Sequence, residues 1–191
     1  MKKIPTLFRR VFDKHKVVEI LPEITPGCEE AFLNGRATVK VDGACCAFIN
    51  GEMYKRYDAK KGKKPPVGAI PCGESDPVTG HWPHWVKIDP ENQSDKWFVK
   101  AAEWYKEENC IDSIKDGTYE AIGRHFNGNP YSIPDDILYK HGQDEVIVNR
   151  DFDSIKEWLN EVEEEGLVFW LNDEAVCKIK RTDFGLKWPV E

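Results

Sequence analysis

The sequence is short of the features that would place it quickly. It has no apolar run long enough to cross a membrane, no CxxC pair and no internal repeat. Net positive charge is also missing. With 34 acidic and 27 basic residues the chain carries −7, which argues against coating nucleic acid through bulk charge. A local basic groove stays open, because lysine and arginine cluster in YKRYDAKKGKK (54–64) and CKIKR (177–181), while acidic residues gather in EVEEE (161–165). The basic start, MKKIPTLFRRVFDKHK, places Pro5 and charges where a signal peptide needs an apolar core. It reads as an exposed N-terminal element, with a short amphipathic helix or a transit-like segment as alternatives. Cys28, Cys45, Cys46, Cys72, Cys110 and Cys177 follow no pairing pattern, so they suit free thiols in a reducing, intracellular and cytoplasmic setting. Adjacent Cys45 and Cys46 would face opposite sides of a strand. Cys72, His81 and His84 in PCGESDPVTGHWPHW form a conceivable zinc set of unfamiliar spacing; a loop anchored by its aromatics is the alternative.

What is present is enough for a core. A length of 191 residues fits one large domain or at most two small ones, and seven tryptophans with 40% hydrophobic residues indicate a folded globule. Asn50-Gly51 between ACCAFI and EMYKRY predicts a hairpin on a two-residue type I′ turn, pairing Ile49 with Glu52, Ala47 with Tyr54 and Cys45 with Arg56. Residues 59–93 read as a long irregular excursion. A helix is predicted over 94–109, capped by Ser94, with Trp97, Ala101, Trp104 and Tyr105 along one stripe. GTYEAIG (117–123) reads as a strand. A second helix is predicted over 154–165, capped by Asp153, with Ile155, Trp158, Leu159 and Val162 on one face. GLVFW, a turn at LNDE and AVCKIK then form another hairpin, whose alternation puts Val176, Lys178 and Lys180 on one face and Cys177 and Ile179 on the other. Two lysines at that spacing repel unless an anion fills the space between them; an exposed polar face is the plainer reading.

Lys40 asks for a purpose. It lies between Val39 and Val41 in a β-prone run, where desolvating an ammonium is costly, and Asp42-Gly43 turns the chain immediately after it. A lysine acts as a nucleophile only when neutral, and burial beside other cations favours that form. The same cations would hold a triphosphate, so that attack on its α-phosphorus expels pyrophosphate and leaves a lysine–nucleotide phosphoramidate.

These residues resemble the covalent nucleotidyltransferases: ATP-dependent DNA ligases, RNA ligases and mRNA capping enzymes. KVDG (40–43) is similar to their motif I, YE (119–120) to motif III, EGLVF (165–169) to motif IV and KIK (178–180) to motif V. GTYEAIGRHFNGNPY, EGLVFW and CKIKRTDFG together most resemble the small vertebrate-type 5′–3′ RNA ligases, a similarity running from about Arg36 to Trp188.

The resemblance implies an α+β fold: a single adenylyltransferase domain over 1–191, an ATP-grasp-like core of two antiparallel sheets with flanking helices, and no oligonucleotide-binding domain. It implies ATP and magnesium (or manganese) as cofactors. Lys40 would take up AMP, with Val39 beside it at the nucleotide. Asp42 and Glu165 would bind the metal, Arg56 the ribose or phosphate, and Glu120 a ribose hydroxyl. Lys178 and Lys180 would grip the α-phosphate and pyrophosphate, and Val168 would pack on adenine. For the aromatic on adenine's other face, Phe126 and a residue of EVIV (145–148) are both open. The partner would be RNA with 5′-phosphate and 3′-hydroxyl ends, contacted by Lys60, Lys61, Lys63 and Lys64, with the protein a monomer away from membranes.

Rival readings are a DNA ligase, a capping-type nucleotidyltransferase, a non-catalytic RNA-end-binding domain and the zinc-dependent interaction module. DFG at 183–185 resembles a kinase triplet, but neither a glycine-rich loop before a strand lysine nor an HRD loop accompanies it.

Overall fold

The computed structural model describes residues 2–14, 16–77 and 79–190, and in it the chain visits two units in turn. The first unit holds Ile4–Val41 and the chain from Gly142 onward; the second holds Asp42–His141 with Lys2 and Lys3. Each has its own buried core.

The first unit opens with β1 (Phe8–Asp13) and β2 (Lys16–Ile24), an antiparallel pair. The basic start is therefore neither a helix nor merely an exposed element. Leu7 and Phe8 are buried, and residues 5–7 lie along the last strand of the unit, where Leu7 N–H donates to the Lys178 carbonyl at 2.7 Å. A short helix α1 (Glu29–Asn34) follows, then β3 (Arg36–Lys40), which ends on the lysine.

Past Val41 the chain builds the second unit. β4 (Ala44–Ile49) and β5 (Glu52–Ala59) meet at Asn50 and Gly51, whose φ values of 52° and 76° are those of a type I′ turn. The register Ile49↔Glu52 and Ala47↔Tyr54 is the one counted from the sequence. The following stretch is not irregular throughout. After β6 (Ile70–Pro71), β7 (Trp82–Lys87) runs back along β5 from Ala59↔Trp82 to Tyr54↔Lys87. Pro83 hid this strand, whose partner is non-local.

Helix α2 (Lys96–Glu108) starts after Asp95 instead of Ser94. Asp95 is buried because its carboxylate receives the Lys55 ammonium, the Asp89 N–H at 3.2 Å and the Ser94 hydroxyl at 3.0 Å. β8 (Gly117–Ile122) and β9 (Ile137–Lys140) complete a six-stranded sheet of order β6-β7-β5-β4-β8-β9. Cys46, Phe48, Tyr119, Ala121 and Leu138 pack in one cluster with Ala101 and Ala102 of α2.

Back in the first unit come β10 (Glu145–Val146) and α3 (Phe152–Glu161). The helix begins earlier than its sequence suggests, because Asp151, not Asp153, is the cap: its Oδ1 accepts the Ser154 N–H at 2.9 Å. Its far end is closed by the buried Arg181, whose guanidinium donates to the Leu159 and Val162 carbonyls, a cation at the negative pole of the helix. β11 (Gly166–Leu171) and β12 (Glu174–Lys180) turn on Asn172 and Asp173, both at positive φ. The sheet order is β10-β3-β11-β12. Leu167, Phe169, Cys177 and Ile179 form the core with Phe32, Ile155 and Leu159, and truncating a side chain such as Leu159 to alanine costs about 2–5 kcal/mol.

The α+β class with antiparallel sheets agrees with expectation. The number of sheets does not: among the described residues there are three, the β1–β2 pair being the third. No helix among the described residues is long and apolar enough to cross a membrane.

Candidate active site

Strand register assembles the chemistry of the first unit. Gly166 lies opposite Lys40 on one side and opposite Lys180 on the other, so the two lysines extend from the same face in one row across three strands with no side chain between them. Backbone proximity leaves no room for one: a Cβ at Gly166 would meet the Ile179 carbonyl oxygen at 2.1 Å. Two residues along, Val168 faces Lys178 and Thr38, which sets these three on the same face as Lys40. Val39 alternates to the opposite face, in a row with Leu167 and Ile179 of the core.

Glu165, immediately before the glycine, resolves the repulsion. Its Oε2 accepts from Lys40 Nζ and its Oε1 from Lys180 Nζ. The carboxylate is 3% exposed, and the two ammonium-bearing side chains 18% and 30%. With Lys178, three lysines share this face with the Glu165 carboxylate, a grouping suited to phosphate. Asp183 holds β12 in place: Oδ2 accepts the Lys180 backbone N–H at 2.9 Å, and Oδ1 takes Arg10. The DFG sequence thus serves as an anchor for the lysine strand.

The second unit carries most of the remaining sequence candidates. Asp42 is fixed by residues that the sequence reading passed over: Asn127 Nδ2 donates to its Oδ1 at 2.7 Å, and its own N–H donates to the Tyr131 hydroxyl at 2.8 Å. The glycine after it is required by space, since a Cβ on Gly43 would lie 2.3 Å from the Ala121 carbonyl oxygen. Arg56 Nε donates to Asp58 at 2.9 Å. Burial opposes its charge, but the Asp58 carboxylate outweighs that and raises its pKa.

Glu120, on β8, is directly opposite Cys45 on β4, and its Oε2 accepts from His141 Nε2 at 2.8 Å. His141 was legible only from register, because twenty residues of loop and strand separate it from Glu120. Burial, with the charge of Glu120, pushes the Cys45 thiol up to about 12. Phe126 is consumed by packing, its ring 5.0 Å from Phe98 in the core. Of EVIV, Val146 and Val148 pack on the first unit's core and Ile147 is fully exposed. Cys72, His81 and His84 do not come together as a metal-ligand group among the described residues. Lys60, Lys61, Lys63 and Lys64 are all exposed.

The sequence matches the family described as RNA ligase 1 over residues 71–191, more than half of the chain and beyond Lys40. It is similar to RNA ligase 1 of Danio rerio, 30% identical over 142 residues that cover 58% of this chain and 43% of that protein. It is also similar to RNA ligase 1 of Rattus norvegicus, 26% identical over 225 residues, covering 82% of this chain and 69% of the rat protein. For Pongo abelii RNA ligase 1 the identity is 23% over 221 residues, 80% of this chain and 68% of the relative. The matched region thus spans less than half the length of the zebrafish protein.

Proposed function

The chain belongs to the RNA ligase 1 family, and from that premise we propose that it is an ATP-dependent RNA ligase working as one adenylyltransferase domain. The observation that carries the proposal is Lys40 at the end of a sheet strand, bound to a buried carboxylate shared with Lys180, with Lys178 and Val168 on the same face.

Lys40 in its neutral form attacks the α-phosphorus of ATP. The Nζ–P bond forms, the bond to the bridging oxygen breaks and pyrophosphate leaves. Lys178 and Lys180 grip the α-phosphate and the leaving charge. Before attack a proton has to leave Nζ, and Glu165 is the group in contact with it. An oxygen of an RNA 5′-phosphate then attacks the adenylate, the N–P bond breaks, and Lys40 recovers its proton. A 3′-hydroxyl finally attacks the activated 5′-phosphate, forming the phosphodiester and expelling AMP. Arg56 and Glu120 serve the ribose and phosphate, Val168 packs on the adenine with Val39 behind the nucleophile, and Lys60, Lys61, Lys63 and Lys64 meet RNA phosphates.

The donor set suits a hard cation, for the two Glu165 oxygens already take a positive group each. Glu165 and Asp42 are the carboxylates proposed for magnesium or manganese, which would supply charge neutralisation at the phosphates when bound.

Incubation with α-labelled ATP and magnesium should leave label on the protein, and Lys40→Ala should abolish it. Wild-type protein that stays unlabelled refutes the proposal. Preference for GTP would indicate a capping-type enzyme, and preference for nicked DNA over 5′-phosphorylated RNA a DNA ligase. RNA binding that survives Lys40→Ala without any labelling in the wild type would indicate an end-binding domain.

A further inference from the structure

Cys45, Glu120 and His141 make a second polar cluster, within the second unit. Sheet register dictates it. Cys45 and Glu120 are directly opposed across β4 and β8, so their side chains share a face. His141 follows β9, and its N–H donates to the Thr118 carbonyl at 3.1 Å, extending the β8–β9 pairing past Tyr119↔Lys140. Thr118 and Glu120 point to the same side of β8, and the histidine opposite them joins that side. The result is a thiol, a carboxylate and an imidazole whose donor atoms lie within 4.8 Å of one another.

The cluster is unfinished by its own hydrogen bonds. His141 gives Nε2 to Glu120 at 2.8 Å, but its Nδ1 is buried with no partner among the described residues. A buried polar atom left so costs about 1–3 kcal/mol. Magnesium, which takes oxygen donors, would not use a sulfur and a nitrogen. Zinc takes all three donor types, and three protein ligands with a fourth position open is one of its common arrangements. One nearby group opposes a cation: Arg56, the next residue along β5 from the Cys46↔Lys55 pair. Its charge is partly met by Asp58 at 2.9 Å.

The geometry points to Cys45, Glu120 and His141 as a three-ligand site for zinc or a similar borderline divalent metal. A consequence rests on the nucleotide role proposed for Glu120: an occupied site withdraws that carboxylate from the ribose, so zinc suppresses adenylylation of Lys40.

Cobalt(II), added to the full chain without ATP, tests the site. One equivalent should bind with a cobalt–thiolate charge-transfer band that zinc then displaces. Cys45→Ser should lose the band, Cys72→Ser and Cys110→Ser should keep it, and His141→Gln should weaken binding about tenfold or more. Circular dichroism checks that each variant is folded. A wild type without the band, or a band that survives Cys45→Ser, overturns the site. Adenylate labelling then reads the consequence: one equivalent of zinc should suppress it in the wild type and spare Cys45→Ser. Labelling indifferent to zinc, with the band intact, leaves the site in place and overturns the role of Glu120.

Discussion

Replacing Glu165 by glutamine keeps the shape of the side chain and removes the charge that holds Lys40 and Lys180 on one face. Each ammonium contact to a carboxylate is worth about 4 kcal/mol at an effective dielectric of about 20, before desolvation is counted. Removing the anion forfeits two such attractions and leaves the ammonium–ammonium repulsion unopposed. Against this stands the relief of no longer burying a carboxylate that is only 3% exposed, a cost of several kcal/mol. The lysines are 18% and 30% exposed, so water screens part of both sides of the sum. A net loss of about 3 kcal/mol is expected, at the lower edge of the range for breaking a buried pair. Urea unfolding followed by tryptophan fluorescence and far-UV dichroism measures it as a midpoint shift at constant slope, provided the two probes coincide. Lys40→Met added to Glu165→Gln removes one stranded ammonium and should restore about 1 kcal/mol, a coupling that a double-mutant cycle isolates. A single-variant loss below about 1 kcal/mol, or additivity between the two substitutions, would refute the electrostatic reasoning.

Gly43→Ala forces a Cβ to within 2.3 Å of the Ala121 carbonyl oxygen and should cost about 1–3 kcal/mol by overpacking, read from the same urea curves. Burial alone would raise the pKa of Asp95, but Lys55, the Asp89 N–H and the Ser94 hydroxyl outweigh it and hold the carboxyl below its ordinary value. Its folded pKa lies below the unfolded one of about 3.9, so its contribution is complete above that pH and disappears as pH falls through the folded value. Asp95→Asn should therefore flatten the acid limb of stability against pH while lowering stability at neutral pH. Lys60→Ala, on an exposed stretch, should weaken RNA binding and lessen its salt dependence while leaving lysine adenylylation unchanged; filter binding and labelling on the same preparation compare the two.

Much of the local architecture was legible. Asn50-Gly51 sets its own backbone angles, so the β4–β5 register followed from counting outward, and alternation along β12 separated Lys178 and Lys180 from Cys177 and Ile179. Helix starts were less legible because the residue at the N-cap can be fixed by distant partners: the Asp95 side chain makes no capping hydrogen bond. Asp95 is claimed by Lys55, forty residues earlier, and no pattern within 94–109 reveals that. β7 escaped because its hydrogen-bonding partner is β5 and its proline interrupts the alternation that marks a strand.

The sequence by itself determined which chemical groups this protein has and in what order: the lysine before Asp-Gly, the glutamate before Gly-Leu-Val, and the lysine pair on the final strand. Tertiary structure alone decided their company. Lys40 meets Glu165 across 125 residues only because β3 pairs with β11 in the register that opposes Lys40 to Gly166. Shifting that pairing by one residue would turn every side chain of the strand to the other face. The same holds for the thiol, carboxylate and imidazole of the second unit, which lie on two strands and just past the end of a third and share a face through pairing, where no spacing along the chain could foretell it.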